Sequence, residues 1–263
     1  MERTKNGEFN WVDLSATDLE GQSKFYEALF GWTHTDVPFG EMPGGGAAIY
    51  RMFKSDGHTV AAVSQLPAEQ QRPSAWNTYL AADDVDAAVA KAAELGATVV
   101  MPPDEIPGDV GRFAAIQDPT GAYIFFYKAR RPDESMEYML PGTLSWNDLG
   151  TRDPQRAIDF YTELLGWDVQ AMAQGPMPYW VVNVDGQGEG GIMPMPDMVP
   201  AEVPAYWLPY FGSSDVRATA AKAVELGGSV LSEPMEVPGM VVFAVLADPA
   251  GATFAVMQPI QAA

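Results

Sequence analysis

The chain carries one pattern twice. Trp11-Val12-Asp13-Leu14 returns as Trp146-Asn147-Asp148-Leu149, and the residues that follow return with it. Asp18, Phe25-Tyr26 and Gly31-Trp32 recur as Asp153, Phe160-Tyr161 and Gly166-Trp167, each pair 135 positions apart (153 − 18). Further on, Glu94-Leu95-Gly96 matches Glu225-Leu226-Gly227, and Asp118-Pro119-Thr120-Gly121 matches Asp248-Pro249-Ala250-Gly251. A repeat of this length in 263 residues requires two similar units in tandem. A stretch rich in Arg, Pro and Glu lies between them, so the expected division is 1–130, a linker at 131–142, and 143–263.

Within each copy the pattern alternates between strand and helix periods. Residues 8 to 16 alternate as a strand, with Val12, Leu14 and Ala16 on one face and Trp11, Asp13 and Ser15 on the other. Asp18 is placed to cap a helix whose stripe holds Phe25, Leu29 and Phe30, and Gly31 suits a left-handed C-terminal cap. Asp153-Pro154 is a still better helix start, because a proline at the first helical position forfeits no hydrogen bond. Strands are expected near 32–37, 47–53 and 59–65, with Pro43-Gly44-Gly45-Gly46 as one of the turns. A second unit then runs from a strand at 76–82 through an Ala-rich helix at 85–95 to three more strands. Each half therefore reads as two β-α-β-β-β units.

Composition narrows the function. With 15 basic and 35 acidic residues the net charge is −20, which repels phosphate backbones and anionic lipid, so neither nucleic acid nor membrane is an expected partner. No apolar run reaches membrane-helix length and the N-terminus lacks a signal-peptide core, which points to the cytoplasm. The absence of cysteine removes thiol chemistry. The glycines at 44–46 and 186–191 lack the strand-to-helix setting of a phosphate cradle and read as turns.

Four such units, the Asp…Phe-Tyr…Gly-Trp helix signature, the helix ending in Glu-Leu-Gly and the Asp-Pro-x-Gly turn together resemble the vicinal oxygen chelate superfamily of glyoxalases, extradiol dioxygenases and bleomycin-binding proteins. The resemblance implies an α+β fold in which four β-α-β-β-β units form two curled mixed sheets with helices outside. It also implies where metal-using members bring their ligands. On this chain those places hold Trp11, Asn77 and Phe125 in the first half and Trp146, Leu208 and Ala255 in the second. A fourth place, near 61–63 and 190–192, offers no imidazole or carboxylate. The inherited metal set is absent by residue type, and neither metal nor other cofactor is expected. His34 and His58 read as surface residues.

Side chains sharing parity with those places face the cavity implied by the resemblance. They include Trp11, Asp13, Ser15, Asn77, Tyr79, Tyr123, Phe125 and Tyr127, and then Trp146, Asp148, Gly150, Leu208, Tyr210, Thr253, Ala255 and Met257. Each is an aromatic lining with one carboxylate, suited to a hydrophobic or aromatic small molecule such as a polyketide-like product. Asp13 and Asp148 are the candidate proton-transfer groups, with Tyr79 and Tyr210 polarising a carbonyl; each Asp has the alternative role of capping neighbouring strand amides. The smaller Gly150 and Ala255, and methionines such as Met172, Met177, Met193, Met195 and Met198, suggest a roomier, pliable second cavity. Two alternatives stand beside a metal-independent enzyme: a metal-dependent lyase or dioxygenase with an unusual ligand set drawn from Asp13, Asp148, Glu189 or the histidines, and a non-catalytic drug-sequestering protein. Either a monomer or a homodimer fits the duplication.

Overall fold

The computed structural model describes residues 3–41, 47–130, 138–173, 177–197 and 199–260. The expected Pro43–Gly46 turn, residues 131–137 of the linker and Met198 lie outside the described residues. The first half runs β1 (Phe9–Ala16), α1 (Leu19–Phe30), β2 (Thr33–Glu41), β3 (Ala47–Ser55), β4 (His58–Gln65), β5 (Ala75–Ala81), α2 (Val85–Glu94), β6 (Thr98–Ile106), β7 (Gly111–Gln117) and β8 (Tyr123–Ala129). The second half repeats it as β9 (Leu144–Thr151), α3 (Pro154–Leu165), β10 (Asp168–Ala171), β11 (Trp180–Val184), β12 (Gln187–Pro194), β13 (Tyr206–Gly212), α4 (Val216–Glu225), β14 (Ser229–Val237), β15 (Val241–Ala247) and β16 (Thr253–Pro259).

Each half forms its own eight-stranded mixed sheet, in the order β2-β3-β4-β1-β5-β8-β7-β6 and its copy β10-β11-β12-β9-β13-β16-β15-β14. The two units of a half meet where β1 runs antiparallel to β5, and β9 to β13. The caps are as the sequence predicts: the Asp18 carboxylate accepts from the Gly21 amide and Asp153 from Arg156, while Gly31 and Gly166 take left-handed φ values of 76° and 74°. Gly186 (φ 77°) closes a turn and the later glycines of its run belong to β12, so no phosphate cradle forms there.

The helices lie against the convex faces, where the two halves meet. One core joins Val12, Leu14, Phe25, Tyr26 and Trp76 of the first half to Phe211, Ala220, Leu246 and Phe254 of the second. The other is its mirror in the duplication, joining Leu80, Val89 and Phe126 to Phe160, Tyr161, Trp167 and Trp207. Each core is thus completed by side chains from both copies, and burial of this apolar surface is the main force that seals the halves together. Polar bonds at the same seam are reciprocal. Trp32 donates its indole N–H to the Gly142 carbonyl, and Trp167 donates to Gly7. The repeat signature is therefore largely a sealing device.

Candidate functional site

The concave faces hold the two carboxylates. Period-two alternation turns Val12 and Leu14 into the core and leaves Asp13 on the opposite face, in register with Asn77 on β5 and Ala62 on β4. Asp13 is 5% exposed, and its partners are side chains rather than strand amides. Asn77 Nδ2 donates to Oδ1 at 2.6 Å; Tyr79 Oη and Tyr50 Oη donate to Oδ2 at 2.7 and 2.9 Å. Trp11 Nε1 in turn donates to Tyr50 Oη at 2.8 Å, which fixes that hydroxyl's direction. Asn77 also donates to Ser15 Oγ at 2.9 Å.

Burial pushes the Asp13 carboxyl above its usual range, against the pull of the Asn77, Tyr79 and Tyr50 hydrogen bonds and of the Arg72 charge. The four phenols at the two sites that touch these carboxyls, Tyr50, Tyr79, Tyr179 and Tyr210, are pushed up for the same reason and stay protonated. Three donors leave about one of the four carboxylate lone-pair sites open to a ligand proton. Tyr79 donates its hydroxyl hydrogen bond to Asp13 and so orients that carboxyl.

The second site repeats the theme with different neighbours. Tyr179 Oη donates to Asp148 Oδ1 at 2.7 Å, and Trp146 Nε1 donates to both that oxygen, at 3.0 Å, and Tyr179 Oη, at 2.8 Å. Tyr210 adds a hydrogen bond, and burial again raises the carboxyl. The partner of Asp148 on β13 is Leu208, where the first half has Asn77. Gly191 is essential to the packing, because a Cβ there would stand 1.9 Å from Tyr179 Oη and 2.5 Å from Asp148 Oδ1.

Openness separates the two faces. In the first half Asn77, Tyr79, Phe125 and Tyr127 are half-buried and Tyr123 is exposed, with the Tyr79 and Phe125 rings 4.7 Å apart. In the second half Leu208, Tyr210 and Ala255 are buried beneath Trp146, Tyr206, Phe243, Val245 and Met257. The Tyr206 ring occupies the room left by Gly150, coming within 3.4 Å of where its Cβ would be. The small residue at 150 therefore does not by itself open the second face, because Tyr206 takes up the room it leaves. Thr253 at the start of β16 remains half-buried, while Met195 is buried and Met177 exposed. A hollow of about 630 Å³ lies elsewhere, where Met139, Leu140 and Pro141 cross Gly212 and Pro259, and it includes neither carboxylate.

Tyr50 and Tyr179 are site residues that the sequence reading passed over. A signal existed, since the 129-position offset that pairs His58 with Gln187 also pairs Tyr50 with Tyr179. The donor set does not fit the metal of metal-using relatives. Trp11, Asn77, Phe125, Trp146, Leu208 and Ala255 supply no imidazole or carboxylate, and no cluster of three His, Asp or Glu able to hold a metal occurs among the described residues. Glu189 pairs with Arg3, and His34 and His58 are exposed, so none of these joins Asp148 or Asp13.

Residues 8–126 match the family model of the glyoxalase/bleomycin resistance protein/dioxygenase superfamily, and 147–257 match a glyoxalase-like domain. A Mycobacterium tuberculosis protein with a glyoxylase name, CFP32, is 42% identical over 260 residues, covering 97% of this chain and 96% of its own. The chain belongs to the glyoxalase superfamily. A second relative, the anthracycline biosynthesis protein DnrV of Streptomyces peucetius, is 34% identical over 277 residues, covering 98% of this chain and 95% of its own. Among solved structures, the Mn(II)-bound glyoxalase of Novosphingobium aromaticivorans superposes with a TM-score of 0.65 at 18% identity, covering 97% of this chain and 83% of that one. The 2,3-dioxygenase LapB of Pseudomonas sp. KL28 does so with 0.65 at 14%, covering 97% and 93%. These two likenesses establish the glyoxalase fold and leave the reaction to the site. No helix among the described residues is long and apolar enough to cross a membrane.

Proposed function

We propose that the first-half concave face binds a flat aromatic small molecule and that Asp13 exchanges a proton with it, in an isomerisation or dehydration that uses no metal. One observation carries this reading: a buried carboxyl with a raised pKa is held by Asn77, Tyr79 and Tyr50 beside the half-open aromatic strip of Tyr79, Phe125 and Tyr127. A carboxyl poised above its usual range is a better proton acceptor than an ordinary aspartate. The anthracycline biosynthesis name of a 34% identical relative fits a polycyclic aromatic ligand. Asp148, more deeply enclosed, is the second candidate.

The proton step is a transfer from a carbon next to a ligand carbonyl to Asp13, leaving an enolate that is reprotonated from the same carboxyl. The probe is 2-tetralone, a fused aromatic ketone whose C1 protons exchange slowly with D2O. Proton NMR is expected to show faster exchange with the protein, abolished in Asp13→Asn while binding, read by Trp11 fluorescence, persists. Binding with no exchange in the wild type would favour the sequestering role instead. Failure to bind fused aromatic ketones at all would remove the reading.

A further inference from the structure

Beside the Asp13 site stands a cation that the proton-transfer role does not use. Arg72 lies in the β4–β5 connection, two residues after the short helical turn Ala68–Gln70 and directly after Gln71, whose φ of 47° bends the chain back. Its guanidinium is braced: Nε donates to Gln70 Oε1 at 2.8 Å, and Nη2 reaches Ser15 Oγ at 3.4 Å. Ser15 is the concave-face neighbour of Asp13 on β1 and also accepts from Asn77. The Arg72 charge is felt at Asp13, yet Arg72 forms no ion pair among the described residues. The Asp13 oxygens are instead occupied by Asn77, Tyr79 and Tyr50.

The second half lacks this arrangement. The groups acting on Asp148 are the hydroxyls of Tyr179 and Tyr210 and the indole of Trp146, with no cation. The position matching Asn77 is Leu208, and Ser15 is replaced by Gly150. The exposed guanidinium of that half, Arg152, is tied to the Val203 and Pro200 carbonyls and does not act on Asp148, so in a chain of net charge −20 the two faces are chemically unlike. Guanidinium groups favour planar carboxylates, with two parallel hydrogen bonds.

We propose that Arg72 makes the first-half site selective for a flat aromatic that carries an acidic group, its carboxylate pairing with the guanidinium at the Ser15 end while its rings lie along Tyr79 and Phe125. This deepens the function proposed above and rests on its aromatic-binding part. Arg72 is then a specificity-determining residue, and the ligand class narrows to an aromatic that carries a carboxylate.

The test compares 3-hydroxy-2-naphthoate with its methyl ester, which keeps the rings and removes the charge, using calorimetric titration at low and high salt. The wild type is expected to bind the acid roughly tenfold or more tightly than the ester, with the preference shrinking in high salt. Arg72→Gln is expected to lose the preference and leave ester affinity unchanged, and Arg72→Lys to retain part of it. Equal binding of acid and ester by the wild type, lost in Phe125→Ala, would overturn the role of Arg72 while leaving the aromatic site standing. A preference that survives in Arg72→Gln would overturn it too. If neither compound binds, both this inference and the aromatic-site reading fall.

Discussion

Tyr26 of the first half donates its hydroxyl to Asp248 of the second at 3.0 Å, 222 positions away in sequence, and Tyr161 answers by donating to Asp118 at 2.8 Å. The same aspartates hold their own turns, Asp248 through the Ala250 and Ala252 amides and Asp118 through Thr120 and Ala122. Removing one hydroxyl leaves a buried carboxylate short of a donor, at a cost of about 1–3 kcal/mol. Tyr26→Phe and Tyr161→Phe are each expected to lower stability by that amount in urea denaturation. Because the pairs sit in separate cores, the double variant should lose close to the sum.

Gly191 and Ala62 occupy matching places beside the two carboxylates, opposite Asp148 and Asp13. Only the second site crowds its backbone, with the Tyr179 hydroxyl in the space a Cβ would need. Gly191→Ala is expected to destabilise by about 1–3 kcal/mol and to displace Tyr179 from Asp148. Tryptophan fluorescence should report it, since Trp146 bonds to that hydroxyl. Ala62→Gly should leave the fluorescence of Trp11 nearly unchanged.

Tyr79→Phe removes a donor that stabilises the ionised form of Asp13, while burial is unaltered. The Asp13 pKa, already raised, should therefore rise further, as should any acid limb in the pH profile of proton exchange. Carboxyl-carbon NMR of Asp13 across pH measures the shift directly. An unchanged or lowered titration would show that the hydrogen bond does not govern this carboxyl.

Glu189 sits at a register shift of β12, pairs with Arg3, and is pushed up to about 7 by burial. Arg3 also lies 4.1 Å over the Tyr138 ring, so the contact fastens the N-terminal segment to the second half. A folded-state pKa above the unfolded value favours folding only while the proton stays on. The contribution is full below about 4.5 and is lost as pH rises through about 7. Glu189→Gln is expected to flatten the decline of Tm between pH 5 and 8, measured by calorimetry. An equal decline in both proteins would show that this residue does not contribute.

Much of the fold was legible because it is written in local periods. The Asp18 and Asp153 caps, the Gly31 and Gly166 stops and the facing of Asp13 away from Val12 all follow from residue spacing within one element. The sharing of each core between the halves was not legible, since periodicity marks Phe25 and Phe254 as buried without saying that they touch the same core. The site was half legible for a similar reason. Tyr79 and Asn77 lie on the strand that pairs with β1, whereas Tyr50 reaches Asp13 from β3, across the intervening β4. Tyr206 filling the space at Gly150 depends on side-chain packing, which residue size alone misjudged.

The interlaced cores also constrain how the chain is made. Phe25 and Tyr26 are made well before Phe254, which packs against both and follows Tyr26 by 228 positions (254 − 26). At roughly 5–20 residues per second that interval is on the order of ten to fifty seconds. Throughout it, the growing first half presents an apolar face whose proper cover has not yet been translated, so this core can close only after residue 254 has been made.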